Sequence, residues 1–126
     1  GQGSIFHPGY APVTFGLLYG SAPDVLVLCH RPNMEHIDGF KNAIPSLPAL
    51  VAAHEMILAH VKPARVAAIA LDTSAFDAAH AAQVIEDVQL ETGLPADDPV
   101  RGGGQKIWSA ISDALARTKK SVMAGA

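Results

Sequence analysis

The sequence has little of what marks disulfide-bonded, membrane or nucleic-acid-binding proteins. A single cysteine, Cys29, among 126 residues excludes an internal disulfide and is typical of a reducing compartment. No apolar run reaches the length of a membrane span. Lysine and arginine number only nine, and the formal net charge is −3, which argues against nucleic acid as a partner. These absences predict a soluble cytoplasmic protein that acts on small molecules.

Apolar residues, by contrast, are plentiful. They make up 49% of the chain, the mean hydropathy is +0.23, and only 17% of the residues are charged. A chain of this length forms one domain with a modest core, so the apolar excess indicates that other protein covers part of its surface. We expect that cover to be more chain or another subunit of a homo-oligomer. Residues 1–118 are predicted to form the domain, and residues 119–126 a disordered tail.

Continuous apolar runs alternate with helical patterns along the chain. The runs at 24–30 and 65–71 predict strands that are buried on both faces. The helices are predicted at 10–19, 47–61, 75–92 and 105–118, and a short strand or loop is predicted within 94–104. This alternation predicts an α/β fold in which helices flank a parallel sheet.

Local signals predict where the helices begin and end, and which side chains they bury. Gly20 is expected to end the first helix, and Ser74 to begin the third as a cap paired with Asp77. The last helix is expected to direct Trp108 inward, together with Ile107, Ile111 and Leu115. Cys29, inside an apolar strand run, is expected to be an inert core thiol.

Polar residues follow the predicted strands. In an open parallel sheet, ligands bind beyond the carboxyl ends of the strands. If the N-terminal residues follow an upstream strand, four polar clusters converge on that edge: Gly1-Gln2-Gly3-Ser4, Cys29-His30-Arg31, Asp72-Thr73-Ser74, and Asp97-Asp98 with Arg101. Each cluster also has a structural interpretation: a flexible terminus, a strand-end histidine bonded to a carbonyl, a turn with a helix cap, and a solvated turn.

The other candidate motifs give weaker indications of function. His54 and His60 are six positions apart, whereas ligands on one helix face need a spacing of three or four, so these residues and His80 are interpreted as core-edge or surface histidines. No metal site is identified. The glycines at 102–104 match neither phosphate-loop pattern and are interpreted as a hinge before the last helix.

Four blocks of the sequence resemble one family. The segments "GQGSIFHPGYAPVTFGLLYGSAPDVLVLCHRP", "PSLPALV", "IALDTS" and "GLPADDPVR" are similar, in order and spacing, to the C-terminal part of the bacterial D-glutamate N-acetyltransferases. In that family a Rossmann-like domain precedes a P-loop-type domain. The resemblance implies that this chain is the C-terminal half of a P-loop NTPase-like domain. It also implies that the chain is a fragment whose partner is the upstream half of its own protein.

The resemblance further implies acetyl transfer from acetyl-CoA, as co-substrate, to the amino group of D-glutamate. His7 or His30 would serve as the base, backbone N–H groups around Gly3 and Ser4 would stabilise the oxyanion, and Arg31 or Arg101 would bind substrate carboxylates. The remaining residues implied to bind substrate or co-substrate are Gly1, Gln2, Asp72, Thr73, Ser74 and Asp98. Asp72, Thr73 and Ser74 also resemble the Asn-Thr-Ser block with which related P-loop proteins contact a nucleotide base. The first position is Asp here, which accepts hydrogen bonds but donates none, so that preference for a base is not carried over.

Two other functions stay open at this point. One is a nucleotide-dependent ligase or NTPase resembling dethiobiotin synthetase, which requires nucleotide binding and a G-x-x-x-x-G-K-[ST] motif that these 126 residues do not contain. The other is a non-catalytic oligomerisation module that buries its apolar excess at subunit contacts. Because half of the implied site lies upstream, we expect the isolated chain to have little or no catalytic activity.

Overall fold

The run Arg65–Leu71 forms the central strand of a parallel sheet, and it is buried as its composition predicts. A computed structural model describes residues 4–124. In this structure the sheet contains β1 (Val25–His30), β2 (Arg65–Leu71) and β3 (Ala96–Asp97) in the order β1-β2-β3, with both pairs parallel. The predicted α/β fold with a parallel sheet is therefore confirmed.

Helices cover both faces of this sheet. Within the described residues they are α1 (Ala11–Ser21), α2 (Leu47–Leu58), α3 (Ala78–Thr92), α4 (Pro99–Gly102) and α5 (Gln105–Ala124). Leu50 of α2 and Val88 of α3 pack with Ile69 on one face, whereas Ile107 of α5 packs with Ala68 on the other. No helix in this part of the chain combines the length and hydropathy needed to cross a bilayer.

The first helix does not end where its glycine predicts. α1 continues through Gly20 to Ser21, and Ala22 ends it in the left-handed conformation at φ 41°. Pro23 follows directly and has no N–H to continue the helical hydrogen bonds. Gly20 is therefore tolerated inside the helix, and the proline sets the boundary.

The third helix begins three residues later than predicted. Its N-cap is Asp77, whose carboxylate accepts a hydrogen bond from the His80 N–H at 2.8 Å. Ser74 is not the cap because its N–H and hydroxyl both donate to Asp72. The Ser74 side chain therefore belongs to the sheet edge rather than to the helix.

The last helix differs from expectation in its length and in its buried face. α5 continues beyond Thr118 to Ala124, so 119–124 is helical where an irregular tail was expected, since no proline or glycine interrupts the segment. Trp108 is 62% exposed, whereas Ala110 and Ala114 are buried with Ile107. The small alanines let the helix lie close to the sheet, and Trp108 lies off that face.

β1 is less buried than its apolar run predicts. Its residues are half-buried, and Cys29 is exposed. The run predicts burial on both faces, but β1 has a neighbouring strand on one side only in the described sheet. The expectation that Cys29 is a core thiol is therefore wrong.

The glycines before α5 form a tight turn. Gly103 and Gly104 have φ of 74° and 75°, a conformation that favours glycine, and they join α4 directly to α5. An added Cβ at Gly102 would lie 2.7 Å from Oδ2 of Asp97, so the Asp97 carboxylate would have to shift to admit a side chain there. Backbone conformation or packing therefore accounts for all three glycines in this turn.

Candidate functional site

A cavity of about 720 Å³ opens at the carboxyl edge of the sheet. Its volume lies within the range of about 300–1,000 Å³ that is typical of small-molecule sites. We call it the edge cavity, and it is lined by Cys29, His30, Arg31, Met34, Ala70, Leu71, Asp72, Ser74, Asp98, Pro99, Val100 and Arg101. Three of the clusters predicted to converge on this edge thus line one cavity.

Arg31 and Asp72 form an ion pair across the ends of β1 and β2. Nε of Arg31 donates to Oδ2 of Asp72 at 2.9 Å, while Oδ1 accepts from the N–H and hydroxyl of Ser74 at 3.1 and 2.6 Å. The hydrogen bonds from Ser74, and then Arg31, hold the pKa of Asp72 below its ordinary value. Because Arg31 uses Nε for this pair and its side chain is 57% exposed, its terminal nitrogens can reach an anion in the cavity.

Beneath this pair lies a buried network centred on Asp98. Oδ2 of Asp98 accepts from the N–H and hydroxyl of Thr73, and Oδ1 accepts from the N–H groups of Val100 and Arg101. Thr73 is fully buried and Asp98 is 3% exposed. The hydrogen bonds from Thr73 lower the pKa of Asp98 against the opposing effect of burial. This network fixes the β2–α3 loop against the start of α4.

Arg101 forms hydrogen bonds with the same loops. Its Nη2 donates to the carbonyl oxygens of Thr73 and Phe76 at 3.1 and 2.6 Å, and its Nε lies 3.7 Å from Oδ2 of Asp98. These contacts engage the guanidinium with protein groups. Of the two arginines expected to bind a carboxylate, Arg31 has the freer donors.

His30 ends β1 and lines the edge cavity beside Arg31. Burial lowers the pKa of its imidazole below the usual 6.5, an effect that the negative charge of Glu91 partly offsets. His30 is therefore mostly neutral near pH 7, the form in which an imidazole accepts a proton.

His7 has a different environment. Its Nδ1 accepts hydrogen bonds from the N–H groups of Gly9 and Tyr10, both at 3.0 Å. In the neutral ring the proton then resides on Nε2, which leaves no unpaired basic nitrogen. The ring also contacts Tyr10 and Phe40, with centroids 4.7 and 4.9 Å apart. These contacts hold the turn that leads into α1.

Ser4 and His7 line a second cavity, of about 530 Å³, which we call the α1 groove. Its walls are formed by Leu17 and Leu18 of α1, by the consecutive β1 residues from Leu26 to His30, and by part of the 31–46 connection. Cys29, His30, Arg31 and Met34 line both cavities, so the two meet at the end of β1. Gly1, Gln2 and Gly3 lie outside the described residues.

Sequence reasoning missed Met34 and the exposure of Cys29. Met34 approaches Arg31, with its Sδ 4.0 Å from Nη1, from a connection that carries no regular period. Its position three residues after Arg31, across Pro32, is the only signal for this contact. Because that signal is weak, the structure was needed to find it.

Comparison with known proteins supplies the family. Residues 1–108 match the family described as "Domain of unknown function (DUF1611_C) P-loop domain". A crystal structure of a DUF1611 family protein from Anabaena variabilis superposes with a TM-score of 0.86 at 35% identity, and covers 90% of this chain and 34% of that chain.

Two curated relatives carry a functional name. D-glutamate N-acetyltransferase of Tritonibacter scottomollicae is 34% identical over 114 residues, which are 89% of this chain and 34% of the relative. The enzyme of the same name from a Pseudoalteromonas species is 35% identical over 111 residues, 85% of this chain and 33% of the relative. This chain thus spans about a third of the length of these relatives. It belongs to the DUF1611 family, through that family's C-terminal P-loop domain.

Proposed function

We propose that this chain supplies part of the active site of an N-acetyltransferase that acetylates the amino group of D-glutamate. The observation that carries the proposal is the edge cavity. It holds a neutral histidine, His30, next to an exposed arginine, Arg31, that Asp72 anchors through one nitrogen only. The names of two relatives support this choice of substrate. The complete polypeptide, meaning this chain with the segments that make up the rest of its relatives, would be the active unit.

Each residue has a defined role in this proposal. The terminal nitrogens of Arg31 bind a substrate carboxylate, and Asp72 positions that guanidinium. His30 accepts one proton at a time: the first, from the substrate ammonium group, passes to solvent before the amine attacks the thioester, and the second, which the nitrogen loses as the amide bond forms, is handed to the leaving thiolate. Acetyl-CoA supplies the acetyl group as a thioester, whose carbon–sulfur bond breaks in this reaction. His7 is not assigned as the base because its Nδ1 is occupied by two backbone donors.

The direct test is thiol release by the complete polypeptide from acetyl-CoA with D-glutamate or L-glutamate. We expect release with the D-isomer and far less with the L-isomer. Absence of release with either isomer would remove the proposal.

A second candidate is a nucleotide-dependent activity, which the P-loop description of the family favours. Calorimetry with ATP distinguishes it, since binding without thiol release would favour a ligase or NTPase. A nucleotide-binding segment would have to lie outside this chain, whose sequence contains no G-x-x-x-x-G-K-[ST] motif.

Replacing Arg31 tests carboxylate recognition. A hydrogen bond to a charged group contributes about 1.5–3 kcal/mol, so Arg31→Ala is expected to raise KM for D-glutamate by about 10- to 100-fold, with a smaller change in kcat. Arg31→Lys should recover part of this loss, because an ammonium binds a carboxylate without the planar fork. Steady-state kinetics with D-glutamate measures KM and kcat of both variants.

The controls for Arg31 separate recognition from a general charge effect. Arg117→Ala removes an exposed arginine from α5, away from the edge cavity, and is expected to leave KM unchanged. Asp72→Asn should raise KM by less than Arg31→Ala, and the double variant should resemble Arg31→Ala alone, since Asp72 acts through Arg31. Fully additive losses would show that Asp72 does not position Arg31.

A further inference from the structure

A tight turn places the thioether of Met34 beside the guanidinium of Arg31. Pro32 follows Arg31, at the turn position that proline favours, and the Met34 N–H donates to the Arg31 carbonyl at 3.2 Å. The chain therefore folds back within four residues, and Sδ of Met34 lies 4.0 Å from Nη1 of Arg31. Because the turn joins the two residues directly, local structure alone keeps the sulfur near the guanidinium.

Small reactants in solution can reach this sulfur. Met34 is half-buried and lines both the edge cavity and the α1 groove. The Arg31 side chain beside it is 57% exposed. Peroxides convert an accessible methionine thioether to a sulfoxide, and this change makes an apolar side chain polar. A peroxide that enters either cavity would therefore meet the Met34 thioether.

Oxidation would change what Met34 offers to Arg31. A thioether sulfur is a weak hydrogen-bond acceptor, so it leaves Nη1 of Arg31 available to an anion, whereas a sulfoxide oxygen is a polar acceptor. The 4.0 Å between Sδ and Nη1 lets an oxygen bonded to Sδ lie within hydrogen-bond distance of Nη1. That oxygen would compete with a ligand for the donors of Nη1. Since Asp72 engages Nε, only Nη2 would be unaffected.

We propose that Met34 is an oxidation site whose sulfoxide weakens the binding of a carboxylate by Arg31. A lone pair of Sδ attacks one oxygen of hydrogen peroxide and the O–O bond breaks. The leaving hydroxide then takes the proton of the transferred oxygen and becomes water. Sulfur is oxidised by two electrons and the peroxide is reduced by the same two. The effect on D-glutamate rests on the proposed function, whereas the oxidation and its effect on Arg31 do not.

Kinetics of the complete polypeptide before and after hydrogen peroxide treatment tests the effect on substrate binding. We expect peroxide to raise KM for D-glutamate about 10-fold, as weakening one hydrogen bond to a charged group would do. Met34→Leu should abolish this response, and Met34→Gln, which places an amide oxygen near Arg31, should raise KM without peroxide. Met56→Leu is the matched control, because Met56 is 66% exposed on α2, outside both cavities, and it should keep the full response.

A second measurement does not require catalytic activity. Phenylglyoxal modifies arginine side chains, and peptide mass spectrometry reports both its rate at Arg31 and the oxygen added to Met34. We expect peroxide to oxidise Met34 and to slow the modification of Arg31 several-fold, and Met34→Leu to remove this effect. If the untreated polypeptide releases no thiol, the proposed function fails, and the phenylglyoxal rate still decides whether Met34 controls Arg31.

The competing target for peroxide is Cys29, which is exposed and lines the same two cavities. A response that Cys29→Ser abolishes, or that dithiothreitol reverses, would assign the effect to this thiol and overturn the proposal, because thiols reduce sulfenic acids and disulfides whereas methionine sulfoxide requires its own reductases. Absence of oxygen on Met34, a response that persists in Met34→Leu, or an unchanged phenylglyoxal rate at Arg31 after Met34 is oxidised would also overturn it.

Discussion

The Asp98→Ala variant is expected to lose about 3–4 kcal/mol of its free energy of unfolding, because buried donors lose their acceptors and each such loss costs about 1–3 kcal/mol. The buried donors are the N–H and hydroxyl of Thr73, and the partly buried N–H groups of Val100 and Arg101 lose their acceptor as well. A domain of this size has only about 5–15 kcal/mol in total. Urea denaturation followed by circular dichroism should show a lower midpoint at an unchanged slope.

Asp98→Asn distinguishes the loss of acceptors from the loss of charge. Both carboxylate oxygens of Asp98 accept from N–H or O–H donors, so an amide NH₂ in either orientation would face donors. We therefore expect Asp98→Asn to be nearly as unstable as Asp98→Ala. Stability close to that of the unsubstituted chain would show that the network is not what holds these loops.

Graded variants keep this test informative if Asp98→Ala does not fold. Thr73→Val removes one hydroxyl donor at nearly constant volume and is expected to cost about 1–2 kcal/mol, whereas Thr73→Ser retains the hydroxyl and should cost less. Asp113→Ala, at an exposed position of α5, is the control for loss of a surface carboxylate and should change the stability by less than about 0.5 kcal/mol.

The depressed pKa of Asp98 also predicts how stability depends on pH. Its pKa is lower in the folded chain than in the unfolded chain, where a value near 3.9 applies. The contribution of Asp98 is thus fully present above about pH 4 and is lost as the pH falls through the folded value. Asp98→Asn should therefore reduce the loss of stability at acid pH. If the loss of stability at acid pH is unchanged in this variant, other carboxylates cause it.

Patterns within one element predicted the fold well. The apolar run of β2 predicted its bounds, and the alternation of strands with helices predicted parallel pairing and the shared carboxyl edge. Together these two patterns predict that His30, Arg31 and Asp72 lie close to one another, because the carboxyl ends of parallel strands meet at one edge of the sheet.

Features that depend on distant contacts could not be predicted in this way. Thr73 and Asp98 are 25 positions apart, and neither residue shows locally that the other accepts or donates its hydrogen bonds. The exposure of Cys29 depends on the position of β1 at the edge of the described sheet. The exposure of Trp108 depends on the short distance between α5 and β2, which the small alanine side chains of α5 allow. The occupied Nδ1 of His7 likewise follows from backbone geometry rather than from composition.

His30→Gln should lower kcat of the complete polypeptide by about 10²- to 10⁴-fold, the contribution typical of a general base, and change KM for D-glutamate little. Glutamine retains polarity and approximate size but accepts no proton near neutral pH. The pH profile makes the assignment specific. Since burial lowers the pKa of His30, kcat/KM should rise with pH through a value below 6.5 and then level off.

The His30→Gln variant should lose this acid limb as well as rate, a change that a merely structural role would not produce. His60→Gln, at an exposed histidine just beyond α2, is the matched control and should keep both the kcat and the rise of kcat/KM at acid pH. His7→Gln provides the decisive contrast. Because the His7 ring is engaged with the turn before α1, we expect its replacement to lower stability and leave the acid limb in place. If His7→Gln removes the limb and His30→Gln does not, the base is His7, and the active centre lies in the α1 groove rather than at the edge of the sheet.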